Sequence, residues 1–287
     1  MKLKTITLEL PPVGVKILEK PDPDRAAVPR FKGVSYCQAV LRATFGHEVV
    51  VEPSSIVTCQ WVPVVLGFKA RENEFEKSIN TGLPAGTAGV YLAPLDKFTD
   101  GDRPDVVIIR ATEDTYRKII GILGPGAFID YGRYQRDETA LKDLMEGHRG
   151  GFSEWAIKYV NRWLHWMNRF IWWQKVTAFL FKSTMITRLF DRFITKYMAN
   201  MSMCRNSTVI PFSTGKANIS YFCTGGIAWG KNLPAFMTSG FPYGIYKKLE
   251  EHLDYPSLDE NGPGYASLMK LRSKMLRNTT VARDCAG

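Results

Sequence analysis

Thiols, together with the backbone amides beside them, are the groups in this chain whose placement suggests chemistry. Cys37 opens a helix-patterned stretch, residues 35–46, in which Ser35 can cap the start and Gly46 sits where a closing glycine belongs. The unpaired N–H groups and dipole of such a helix start favour a thiolate over a thiol. Cys59 lies in Ser55-Ile-Val-Thr-Cys59-Gln-Trp-Val-Pro63. Cys223 follows the strand-like run 217–222 and precedes Thr224, Gly225 and Gly226, a turn suited to presenting a thiol beside open backbone amides. Thiolates are preferred ligands of soft metals and iron–sulfur clusters. Cys37, Cys59 and Cys223 are therefore the candidate metal ligands, and with Gly225 and Gly226 they form the candidate cofactor site. No pair has C-x-x-C spacing, and ligands gathered from three distant positions leave no spacing signature. Packing as small apolar fillers, contact with a ligand or metal, and thiol chemistry all remain open for them.

Other residue types add no reaction. His47, His148, His165 and His252 form no Cys/His or Ser/His signature. The glycine-rich runs at 124–126, 147–151 and 225–226 lack phosphate-loop and dinucleotide-binding patterns and read as turns.

The elements that must position these groups alternate in type. Residues 13–18 (VGVKIL), 48–52 (EVVVE) and 105–109 (DVVII) are strand-like, and Pro21-Asp-Pro-Asp24 supplies turn chemistry after the first. A helix is expected between Glu113 and Leu123, opened by acidic residues and closed by Gly124-Pro125, which makes a βα unit with 105–109. Two further helical patterns lie near 243–253 and 265–277. With 45% hydrophobic and 23% charged residues, the 287-residue chain has the composition of a folded core rather than a disordered one. The expected fold is a mixed α/β (α+β) core in two parts, 1–150 and 204–277, with an inserted helical segment at 151–203 and a mobile polar tail at 278–287.

That insertion carries the largest local signal. Residues 152–200 hold eight basic side chains and two acidic ones, Glu154 and Asp191, which places more than half of the chain's formal net charge of +10 in one stretch. Five of the seven tryptophans, Trp155, Trp163, Trp166, Trp172 and Trp173, fall there too. On a helix, Trp163, Trp166, Phe170, Trp173, Thr177 and Leu180 recur every three or four residues as one stripe, while Arg162, Arg169 and Lys175 flank or oppose it. A membrane span needs about 20 consecutive apolar residues, and charges interrupt this segment too often. The pattern fits a helix lying in the interface, with rings at headgroup depth and basic stems reaching for phosphates. Core packing and docking on a membrane-embedded or oligomeric partner, a second copy of the chain included, are the competing explanations. Nucleic acid is disfavoured, because the aromatics share a face instead of alternating with cations along a groove, and no nucleic-acid-binding signature accompanies them.

The five cysteines are odd in number and widely spaced, and the first twelve residues carry Glu9 and Pro11-Pro12 where a signal peptide would be continuously apolar. A reduced cytoplasmic setting, with peripheral attachment to a membrane, is the expected location.

Several short motifs point to a family. Pro11-Pro-Val-Gly-Val-Lys16, Tyr36-Cys37-Gln38, Cys59 ahead of Leu66-Gly67-Phe68, Val90-Tyr-Leu-Ala-Pro94 and Tyr221-Phe-Cys223-Thr-Gly225 resemble the domain of unknown function 169 family of archaea and anaerobic bacteria. The likeness covers residues 10–135 and about 205–255, with 152–200 as an insertion. It implies that Cys37, Cys59 and Cys223 belong to the family core, and it carries no reaction with it. The functional expectation is a peripheral membrane protein that holds a small ligand, or a metal or iron–sulfur cofactor, near those cysteines. A thiol- or metal-dependent redox enzyme and an accessory subunit of a membrane complex are the alternatives.

Overall fold

A computed structural model describes residues 5–31, 36–55, 62–72, 82–129, 203–220 and 237–277. In chain order the strands are β1 (Ile6–Thr7), β2 (Val13–Leu18), β3 (Val49–Val51), β4 (Gly89–Pro94), β5 (Val106–Ala111), β6 (Asn218–Ser220), β7 (Met237–Pro242) and β8 (Leu253–Asp254). The helices are α1 (Tyr36–Thr44), α2 (Val62–Val65), α3 (Glu113–Leu123), α4 (Ile210–Thr214), α5 (Tyr243–Glu250) and α6 (Tyr265–Arg277). A π-helical turn, Arg205–Val209, runs directly into α4.

Among the described residues six strands form one sheet in the order β3-β4-β2-β5-β7-β6, and every neighbouring pair is antiparallel. β1 and β8 make a separate two-stranded parallel pair. The architecture is thus α+β. The expected βα unit exists as β5 followed by α3, but its strand sits between antiparallel partners.

Alternation along the strands explains why both faces of the sheet are covered, since successive side chains point to opposite sides. Val13 and Val15, Val49 and Val51, Val90 and Leu92, and Val106 and Ile108 share one face and pack with Tyr36, Cys37, Ala39, Val40 and Ala43 of α1 and with α2. Val107, Ile109 and Ala111 of β5, with Phe241 of β7, face the other way and meet Tyr116 and Ile119 of α3 and Tyr246 and Leu249 of α5. A strand buried on both faces reads as an uninterrupted apolar run, which is what β5 is up to Ile109.

Two details set how closely the layers approach. Asp105 extends the pairing of β2 with β5 past its last backbone pair: its backbone N–H donates to Val15, and its carboxylate accepts the Ile17 N–H at 2.7 Å. On the α1 side of β7, a β-carbon built on Gly240 would sit 2.0 Å from the Ser207 carbonyl oxygen and 2.6 Å from Pro211 Cγ. Only glycine lets the π-helical turn lie this close to the sheet. The amphipathic segment 151–203 lies outside the described residues except for its last residue, Met203, and the tail 278–287 lies wholly outside.

Candidate functional site

The most unusual side chain in the described core is on β5. Arg110 shares a face with Val106 and Ile108, the face covered by α1 over β2, β3 and β4 and by the π-helical turn over β5 and β7, and its cross-strand partner is Thr238 of β7. It is 4% exposed, and its Nε, Nη1 and Nη2 are all buried without a hydrogen-bond partner. An uncompensated buried cation costs several kcal/mol. Burial accordingly pulls the guanidinium down to about 10, while the negative forms of Cys37 and Tyr116 work in the opposite direction.

Cys37, the second residue of α1, thus lies within electrostatic reach of Arg110, and its opening turn carries no acidic side chain. Beside it, Tyr36 is buried, and its phenol oxygen lies 2.9 Å from Thr208 Oγ1 on the π-helical turn. Burial pushes the Tyr36 phenol well above its ordinary range; the Thr208 hydrogen bond opposes that shift, and the negative forms of Cys204 and Cys37 reinforce it. Cys204 therefore belongs to the same neighbourhood. Both cysteines are buried thiols.

The π-helical turn completes the surroundings. Its Arg205 is also buried, but Nη1 donates to Asn206 Oδ1 at 3.3 Å. Asn218 of β6 donates from Nδ2 to the Asn206 carbonyl at 2.7 Å, which ties the turn to the sheet edge. Such π-turns recur at functional sites, where an extra residue re-aims nearby groups. On the far face of the sheet the Tyr116 hydroxyl donates to the Ile109 carbonyl at 2.8 Å and accepts from Ser239 Oγ at 2.6 Å. This buried network fixes the backbone immediately before Arg110. Burial raises the Tyr116 phenol, with Ser239 and then Arg110 opposing the shift.

Of the residues singled out from sequence, Cys37 is at this site. Cys59, Cys223, Gly225 and Gly226 lie outside the described residues, as do Trp155, Arg162, Trp163, Trp166, Arg169, Phe170, Trp172, Trp173 and Lys175. In sequence, Cys223 follows β6 by three residues, and Ser220 at the end of β6 pairs with Thr238, the partner of Arg110. Among the described residues no group of three His, Cys, Asp or Glu is gathered as a metal site. No described helix is long and apolar enough to cross a membrane.

Sequence reasoning missed Arg110, Cys204 and Thr208. A signal for the first was available: an arginine directly following Val106-Val-Ile-Ile109 is either the end of the strand or a charge carried into the core, and the structure shows the second.

A family model described as Uncharacterised ArCR, domain of unknown function 169, matches residues 3–124 and 183–252. The stretch between the matched blocks, 125–182, begins and ends earlier than the 152–200 insertion expected from motifs. No curated protein and no solved structure matches the chain.

Proposed function

The chain belongs to the domain of unknown function 169 family of uncharacterised proteins, and on that footing we propose that it is a ligand-binding protein whose small ligand sits between the sheet and α1, beside Cys37 and Arg110. The observation that supports this is the unsatisfied guanidinium of Arg110: a folded core retains such a group against its cost when something outside the chain completes it. The adjoining π-helical turn and the cysteine in the first turn of α1 belong to the same reading. Residues 152–200 attach the protein to a membrane surface or to a membrane-embedded complex, through the tryptophan stripe and its cationic flanks.

Mass spectrometry of small molecules released from anaerobically purified full-length protein tests the ligand. A stoichiometric compound or metal that is lost when Cys37 and Arg110 are replaced together is the expected result. Empty protein that binds nothing from a cell extract would contradict it. Flotation with anionic vesicles tests the attachment. Reversing Arg162, Arg169 and Lys175 to glutamate in the full-length chain should abolish co-flotation, and unchanged flotation would remove this part of the proposal.

A second reading, a thiol-dependent enzyme, is favoured by one observation: Cys37 shares its site with a buried cation. Selective alkylation of Cys37 at neutral pH supports it, and an inert Cys37 in folded protein argues for ligand binding alone.

A further inference from the structure

Arg110 narrows the chemistry of the ligand. We infer that the site beside Cys37 takes the carboxylate of a small organic acid, held by the Arg110 guanidinium fork at the opening turn of α1; this rests on the ligand-binding reading above.

Charge, geometry and surroundings carry the inference separately. Arg110 brings one positive charge into the core, its electrostatic neighbours Cys37 and Tyr116 bring none, and the buried Arg205 of the π-helical turn donates to Asn206. One carboxylate neutralises it. A phosphate dianion would leave excess negative charge in a water-poor interior, where net charge is costly. The three unpartnered nitrogens form the planar fork that matches two carboxylate oxygens with paired N–H···O bonds. The nine-residue helix α1 starts at Tyr36 with no acidic residue in its first turn, so its dipole adds to the preference for an anion beside Cys37. The rest of the acid must be small, because Ile108 on the same strand face is 1% exposed, Cys37 is 4% exposed and Thr238 is 3% exposed.

The test is a titration of full-length protein labelled at arginine nitrogens, followed by NMR, with sodium formate, acetate and butyrate, and with phosphate and chloride at matched ionic strength. A saturable shift of the Arg110 Nε–H resonance with at least one carboxylate, absent with chloride and weaker with phosphate, is expected. Arg110→Lys keeps the charge without the fork and should weaken carboxylate binding about tenfold or more, the loss of one charged hydrogen bond. Calorimetric binding to Arg110→Met should be lost; should that variant fail to fold, the wild-type resonance and the lysine variant still decide.

A response to phosphate alone overturns the carboxylate assignment and leaves the ligand-binding reading standing. Equal carboxylate affinity in wild type and Arg110→Lys overturns the fork. Silence to every anion, with a compound still released from the purified protein, overturns this inference alone. Silence together with empty protein overturns both.

Discussion

At the scale of single residues, the energetics turn on charges placed where water is scarce. Arg110 has no hydrogen-bond partner in the described core, so replacing it with a similarly sized apolar side chain removes a desolvation cost and no hydrogen bond. In carboxylate-free buffer, Arg110→Met is expected to melt at the same temperature as wild type or higher. A drop of several degrees would mean that the guanidinium is satisfied within the protein. Tyr116 gives the opposite expectation, because its hydroxyl both donates to Ile109 and accepts from Ser239 inside the core. Tyr116→Phe strands those groups and should cost about 1–3 kcal/mol in urea unfolding.

Asp105 supplies a pH signature. Burial outweighs the favourable Ile17 N–H and Lys16 and holds its carboxyl above the ordinary range. A folded-state value above the unfolded one makes the contribution of this group greatest in acid and lost as pH rises through the folded value. Asp105→Asn should therefore gain melting temperature relative to wild type at neutral pH, with the difference shrinking as pH falls through the raised folded value and vanishing below the ordinary aspartate value of about 4. Paired melts across that range check it, and a constant difference would contradict it. Arg110 itself was hidden in sequence for a physical reason. A charge after four apolar residues reads as the exposed end of a strand, and only knowledge that β7 pairs with the whole of β5, Arg110 included, reveals its burial.

At the scale of elements, what was legible followed local rules. β2 shows uninterrupted strand character ahead of turn residues. α3 begins after a β-region cap at Thr112 and ends at Gly124 with φ of 73°, as its acidic opening and glycine close predicted. α1, α5 and α6 likewise follow their apolar periodicity. The strand content of β7 was not legible. Met237-Thr-Ser-Gly-Phe-Pro242 has a single β-branched residue, Thr238; glycine stands at 240 because the π-helical turn presses there, and serine at 239 serves Tyr116 on the other face. Gly240→Ala tests this contact. Added volume should overpack the interface by about 1–3 kcal/mol, read as a lowered urea midpoint, and should also weaken any ligand response at Arg110. A neutral alanine would show that the turn can retreat. β4 escaped as a strand in the same way, since its burial on both faces comes from sheet position rather than alternation.

At the scale of the whole molecule, the sheet joins distant parts of the chain. β5 at residues 106–111 pairs with β7 at 237–242, so the proposed site at Arg110 draws on residues before and after the cationic stretch at 152–200. Strand order of this kind leaves no local trace in sequence, which is why Cys204 and Thr208 could not be joined to Cys37 beforehand. The composition shift at 152–200 was plain, whereas what its tryptophans touch was not, because a stripe of rings serves a core, a lipid surface or a partner equally well. If ligand site and attachment segment are separate devices, full-length protein with Arg162, Arg169 and Lys175 reversed to glutamate should lose flotation and keep the carboxylate response of Arg110. Joint loss of both would show that the two are coupled.

The most direct measurement is a crystal structure of full-length protein purified anaerobically without carboxylate buffers. Difference density for a planar oxyanion within about 3 Å of the Arg110 nitrogens, next to Cys37, is the predicted result. A guanidinium hydrogen-bonded to the chain itself, with no density before it, would contradict the binding of any ligand there.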